Sequence, residues 1–268
     1  MKFSDYTRQL RPDPLSYVTI AYKGENFRVQ LKNLLSVVRL NRTFVGTIRD
    51  DLLNLPSVSG ASPFSHIPLG FYVAGYTGIP TQIDSEPGHP GITRFVSAAA
   101  SGTGGGVGLD PSGGGTARMR IFGGEVIEIV WRTLSITNCG ARVGCMDVST
   151  LTATPGEAVY INISNATVTG KTYRGGTPST TPSSYTLSNN TWYRGVILVN
   201  EDATEITFEI YSEFGALLWS DTITDNIPQP QSLNGLSPAA LFLSTAIGIQ
   251  NLVDIDYMAY SSSKVLVR

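Results

Sequence analysis

Two acidic residues near the end of the chain carry the clearest opening for chemistry. Asp254 and Asp256 stand two apart in the run Leu252-Val253-Asp254-Ile255-Asp256-Tyr257. In a strand they share one face, about 6–7 Å apart by the rise per residue. That spacing suits a pair of acids acting on a glycosidic bond. The competing reading, which the run favours, is a solvated outward face of the last strand. Glu125 and Glu128 are an odd number apart, so a regular strand turns them to opposite faces. His66 and His89 have no cysteine or acid pair beside them; Glu86 precedes His89 in a loop rich in Pro and Gly, where a packing role fits better than a base. Cys139 and Cys145 enclose Gly-Ala-Arg-Val-Gly and do not form a C-x-x-C motif. Three readings stay open for them: buried or edge thiols, a local disulfide across a strand turn, or a metal or redox role.

The glycine run from Gly102 to Gly108, followed by Gly113-Gly114-Gly115, contains no G-K-[ST] and no G-x-G-x-x-G. It reads as loop or bulged strand. No G-x-S-x-G nucleophile elbow is present. No Asp/Asn-rich calcium loop appears either. The residues therefore assign no catalytic centre, no cofactor and no metal, and the protein is not expected to be an enzyme. Binding is the better-supplied chemistry. Sugar sites use exposed aromatic rings with Asn, Asp and Arg as donors and acceptors. The stretch Lys171-Thr172-Tyr173-Arg174-Gly175-Gly176 through Ser184-Tyr185 has these ingredients and reads as a loop. Tyr173, Arg174 and Tyr185 are its candidate ligand-binding residues. Trp131, Trp192 and Trp219 fall in strand patterns and read as core.

The elements that must position these groups are strands. Charged residues are only 15% of the 268, against roughly 25% in ordinary domains. Glycine supplies 28 residues, which implies many turns and close backbone approaches. Ile127, Ile129 and Trp131 alternate with Val126, Glu128, Val130 and Arg132. Val159, Ile161 and Ile163 alternate with Tyr160, Asn162 and Ser164. Ile206, Phe208 and Ile210 alternate with Glu205, Thr207, Glu209 and Tyr211, and Leu217 with Trp219 continue on a return strand after Glu213-Phe214-Gly215. Val253, Ile255, Tyr257 and Ala259 oppose Asp254, Asp256 and Met258. No long helical pattern intervenes, so the main domain, 64–268, is mainly β: an antiparallel β-sandwich or barrel.

The first part of the chain is different. Residues 1–16 carry Pro12 and Pro14 and read as an extended arm. Tyr17 to Tyr22 and Phe27 to Val29 read as a short hairpin, and Leu31, Leu34, Leu35 and Val38 mark one apolar helical face. A hairpin plus one helix cannot bury that face alone. Tyr17, Val18, Ile20, Leu31, Leu34, Leu35 and Val38 are therefore candidates for packing on the main domain or for self-association in a 17–60 unit. The 57–63 stretch has linker composition. The net charge of −2 supports no nucleic-acid surface. No apolar run reaches the roughly 18 residues of a membrane span, and the N-terminus has no leader-like apolar segment.

Two resemblances follow from these motifs. Tyr17 to Leu35 resembles the head of phage tail-fibre and virion-attachment proteins. That implies a homotrimer, anchored to other virion proteins through residues 1–60. Gly70 to Ser262 resembles the concanavalin A-like lectin/glucanase jelly roll. The carrying motifs, in order, are Gly88-His89-Pro90-Gly91-Ile92-Thr93-Arg94, Glu125 to Arg132, Ala141 to Asp147, Ala158 to Ile163, Thr191-Trp192-Tyr193-Arg194, the Glu205–Trp219 hairpin and Leu252 to Tyr257. The resemblance implies two curved sheets and recognition of cell-surface carbohydrate. Glucanases of this fold carry Glu-x-Asp-x-x-Glu on one strand, and neither acidic pair matches it. The expected protein is a virion structural protein, assembled in a host cytoplasm, that binds the host surface; a capsid decoration or head-fibre protein is the alternative.

Overall fold

The structure is a computed structural model. It describes residues 17–22, 25–30, 47–50, 71–75, 81–84, 86–89, 91–96, 104–109, 121–148, 152–229, 236–245 and 251–262. The chain divides into two compact units, Met1–Thr47 with Val265–Arg268, and Ile48–Lys264. In the smaller unit, β1 (Tyr17–Tyr22) and β2 (Glu25–Gln30) form an antiparallel hairpin joined over two residues. The helix expected over Leu31 to Val38 and the arm 1–16 lie outside the described residues.

The larger unit is an antiparallel sandwich, and among its described residues there is no helix. Sheet I runs β12-β11-β10-β9-β17-β7-β4, with β13 also on β11. Its strands are β4 (Phe71–Gly75), β7 (Gly104–Leu109), β9 (Cys139–Met146), β10 (Ala158–Ser164), β11 (Thr167–Arg174), β12 (Thr177–Thr180), β13 (Tyr185–Thr186) and β17 (Ser237–Ser244). Sheet II runs β16-β15-β14-β8-β18-β6-β5, with β3 (Thr47–Asp50) also on β18. It uses β5 (Thr81–Ile83), β6 (Ile92–Val96), β8 (Glu125–Thr133), β14 (Thr191–Val199), β15 (Ile206–Ser212), β16 (Leu217–Ile223) and β18 (Leu252–Ser262). Because β3 pairs with β18, the sandwich begins before the 57–63 stretch.

The alternating patterns predict the core face. Ile127, Ile129 and Trp131 on β8, Ile206, Phe208 and Ile210 on β15, and Val159, Ile161 and Ile163 on β10 all enter one cluster between the sheets. The sheets meet closely where glycine removes a side chain. A Cβ on Gly170 of β11 would run into the Phe208 ring, and one on Gly195 of β14 would meet Trp131 at 2.7 Å and Ile161 at 2.8 Å. The glycine run expected as loop or bulge contains a regular strand, β7, between β4 and β17.

β18 departs from its expected alternation. Its register against β8 slips between Ile255 and Tyr257, leaving Asp256 as an extra residue. A bulge turns two successive side chains to the same face. Met258 and Tyr260 therefore enter the core in place of Tyr257 and Ala259. β18 is also interior to the sheet, between β8 and β6, so its aspartates do not stand on an exposed margin.

Candidate functional site

The outer face of sheet II collects the polar groups. Cross-strand register aligns Arg94 of β6 with Asp254 of β18, Asp254 with Arg132 of β8, and Arg132 with Trp192 of β14. Asp254 is fully buried. Its carboxylate accepts from Arg94 Nε at 2.7 Å and Nη2 at 2.9 Å, and from Arg132 Nε at 3.1 Å and Nη2 at 2.7 Å. Arg132 also forks onto Glu86, at 3.0 and 2.9 Å. This hydrogen bond is the main cause holding the Glu86 carboxyl below its ordinary range. Burial alone would lower the Arg132 guanidinium, but hydrogen bonds to Glu86 and Asp254 outweigh it and raise it.

Glu86 and His89 close a tight turn through paired backbone hydrogen bonds at 3.1 and 2.9 Å. The turn lies over the sheet. His89 stacks on Trp192 with centroids 4.0 Å apart, and its Nδ1 donates to Asp256 Oδ2 at 3.0 Å. Its Nε2 lies 3.5 Å from Glu213 Oε1. Trp192 Nε1 donates to Glu86, and the Arg132 guanidinium sits 4.6 Å from the Trp192 ring centre. Trp192 is thus buried on the outer face beneath His89, whereas Trp131 and Trp219 are in the core as expected. The aspartates are not a solvated face: both are buried and each is held by a cationic or imidazole partner. Because Asp254 is committed to two guanidiniums, it is unsuited to donate a proton to a leaving group. This row is a fastening that pins the 86–89 turn to the sheet.

The next two rows are different. Tyr257 aligns with Val130, Val130 with Arg194, and Arg194 with Tyr211 of β15. Beside them Glu128 aligns with Val196 and Val196 with Glu209. The Arg194 guanidinium lies over the Tyr211 ring, 4.3 Å from its centre, and its Nη1 reaches Glu128 Oε1 at 3.4 Å. Tyr211 donates its hydroxyl proton to Glu209 at 2.7 Å, and that bond is the main cause raising the phenol above its ordinary range. The Arg194 side chain is 40% exposed and that of Glu128 is 27% exposed, so ligand hydroxyls can reach them. The arrangement is a tyrosine–arginine floor between two carboxylates.

The residues expected to bind sugar are not gathered in one place. The stretch read as a loop is a hairpin: β11 runs to Arg174, and Gly175 and Gly176 take positive φ of 58° and 79° before β12. Such a turn follows the strand twist. Tyr173 is buried against Tyr160 on the outer face of sheet I, and Arg174 beside it is exposed. Tyr185 pairs at the opposite end of β11, opposite Val168, and packs on the core against Tyr193. Of the N-terminal candidates, Tyr17, Val18 and Ile20 lie on β1, and Leu31, Leu34, Leu35 and Val38 lie outside the described residues. His66 lies outside them too. Cys139 and Cys145 are free, buried thiols along one strand, which excludes a disulfide between them; burial pushes the Cys139 thiol up to about 12. Glu125 points inward and caps the amides of Phe122 and Gly123, both at 2.8 Å. No group of three or more His, Cys, Asp or Glu among the described residues is arranged to hold a metal ion. Sequence reading missed Arg94, Arg132, Arg194, Tyr211 and Glu209 as site residues. The signal was present: each occupies the outward position of an alternating strand.

Two antiparallel sheets packed face to face place the chain in the concanavalin A-like jelly-roll class of folds. Within that class the chain belongs to the SO2946-like family, since the model of the SO2946-like C-terminal domain matches residues 88–256. The crystal structure of a protein of unknown function, SO2946 from Shewanella oneidensis MR-1, is similar over 90% of this chain and 97% of that one, at 16% identity and TM-score 0.63. A β-1,3-1,4-glucanase (lichenase) derived from a mouse hindgut metagenome is similar at 11% identity and TM-score 0.50, over 81% and 99% of the two chains. Peanut lectin is similar at 8% identity and TM-score 0.51, over 83% and 98%. These likenesses show the fold. No curated protein sequence matches the chain.

Proposed function

We propose that the protein is a lectin-like recognition protein whose larger unit binds carbohydrate on the outer face of sheet II, at Tyr211, Arg194, Glu128, Glu209 and Tyr257. The observation that carries the reading is the tyrosine–arginine floor set between two carboxylates. Stacked rings hold the apolar face of a pyranose, and carboxylates accept from its hydroxyls. The shared fold with a lectin and a glucanase supports it. The setting is a virus particle, in the role of host attachment; this part rests on the resemblance of Tyr17 to Leu35 and of the ordered sandwich motifs to virion-attachment proteins. Several copies on one particle convert weak single sites into firm attachment.

The reading is one of binding without turnover. Glu128 and Glu209 flank β14 at two strand spacings, about 9–10 Å between backbones. Yet one is occupied by Arg194 and the other by the Tyr211 hydroxyl. A glycan array probed with the full-length protein tests the proposal. Selective binding that is lost in Arg194→Ala supports it; no binding to any surface polysaccharide, or binding indifferent to Arg194→Ala, rejects it.

A further inference from the structure

The row that carries Arg194 and Tyr211 does not end at Tyr211. On β16 the residue aligned with Tyr211 is Leu217. Directly opposed residues of an antiparallel pair share a face. Leu217 therefore continues the outer-face row of Tyr257, Val130, Arg194 and Tyr211. The register of β15 against β16 slips here: Ile210 aligns with Trp219 and Tyr211 with Leu217, so Leu218 is an extra residue. A bulge turns two successive side chains to one face. Trp219 enters the core, while Leu217 is 53% exposed and Leu218 39%. In a regular strand one of these two leucines would be turned inward. Bulges recur beside active sites, where they re-aim a side chain. The neighbouring row of the same face is polar and carries Ser220, Glu209 and Glu128. The tyrosine–arginine floor is thus bordered by acceptors on one side and by two leucines on another.

From this juxtaposition we propose that the site selects a neutral sugar bearing a methyl group, with Leu217 and Leu218 as the specificity-determining residues that receive the methyl. The inference rests on the carbohydrate function proposed above and names its ligand class. A sugar with hydroxyls on every edge would press some of them against the leucines, where they lose water and gain no partner. A methyl at that edge covers the leucines and leaves the remaining hydroxyls to Glu209 and Glu128. Neutrality follows from charge: two carboxylates stand against the single guanidinium of Arg194, so an acidic sugar meets like charge. The methyl has two chemical sources, the acetyl group of an N-acetylhexosamine and C6 of a 6-deoxyhexose. Burying one methyl favours its bearer by about fourfold.

A glycan array printed with matched pairs, probed with the full-length protein, tests this. One set pairs each N-acetylhexosamine with its parent hexose, and the other pairs each 6-deoxyhexose with its parent. The wild type should bind the methyl-bearing member of one set about fourfold more tightly, and the set that responds identifies the source of the methyl. Both leucines are exposed, so the double variant Leu217→Ser, Leu218→Ser does not disturb the core. It should bind the two members of that pair equally, with the affinity for the parent hexose unchanged. Equal binding of both members by the wild type, or a preference that survives in the double variant, overturns the inference while leaving the carbohydrate reading in place. No binding to any glycan rejects that reading and the inference with it.

Discussion

Replacing Asp254 with asparagine keeps its shape and removes its charge. The consequence can be worked from the row that surrounds it. The carboxylate is fully buried and accepts four hydrogen bonds from two guanidiniums at 2.7–3.1 Å. Removing one partner of a buried charge pair costs about 3–5 kcal/mol, because the other charge stays buried without compensation. Two features place this case at the low end. Arg94 is 26% exposed and can turn toward water. Arg132 is only 10% exposed, but it keeps its fork onto Glu86 and its place over Trp192. We expect a loss of about 3 kcal/mol, which lowers the thermal midpoint by about 6–12 °C in a domain of this size. Urea unfolding, with the slope unchanged, measures it directly. The companion Glu86→Gln should cost less than about 1 kcal/mol, because Glu86 is 39% exposed and screened. If Asp254→Asn costs under about 1 kcal/mol, or no more than Glu86→Gln, burial does not set the strength of this network and the fastening role fails.

The acid limb of stability should carry the Glu86 signature. Its carboxyl is held below the ordinary value of 4.5, so its contribution is complete above that pH and is lost as the pH falls through the lower folded-state value. The difference in thermal midpoint between wild type and Glu86→Gln should therefore shrink toward zero in strong acid; a constant difference contradicts it. Gly170→Ala should destabilise by about 1–3 kcal/mol, since the new methyl meets the Phe208 ring, and an unchanged melting curve would show that the sheets are not so closely packed there. Cys139 and Cys145 should resist a thiol reagent at about pH 8 until the protein unfolds, and rapid labelling of the native chain would contradict their burial. Oligosaccharides that bind should be recovered intact after long incubation; release of shorter products, abolished by Glu128→Gln, would mean that the site turns over its ligand.

The sandwich was legible because one face of most strands is uniformly apolar. The alternation in β8, β10 and β15 predicts the core residues directly. β17 was not legible, since its interior place in sheet I gives an unbroken run, Ala239-Ala240-Leu241-Phe242-Leu243, with no alternation to read. The bulge at Asp256 was invisible for a related reason. One inserted residue shifts the period by half a turn of the pleat, and only Met258 and Tyr260 in the core reveal it. The site was partly legible. Alternation places Arg132, Arg194, Tyr211 and Asp254 outward, but which strands are neighbours is a property of topology. Arg132 meets Glu86 and Asp254 only because β18 lies between β8 and β6, across separations of 46 and 122 residues. Tyr173, Arg174 and Tyr185 drew attention through composition alone, and pairing along β11 sends them apart.

Titration calorimetry of the strongest array ligand against wild type and Tyr211→Ala tests the carbohydrate site most directly. A stacking ring contributes about 0.5–1.5 kcal/mol beyond its area, so the account predicts roughly tenfold weaker binding in Tyr211→Ala, with the fold retained by circular dichroism. Equal affinity in the two proteins would place the ligand elsewhere and contradict the account.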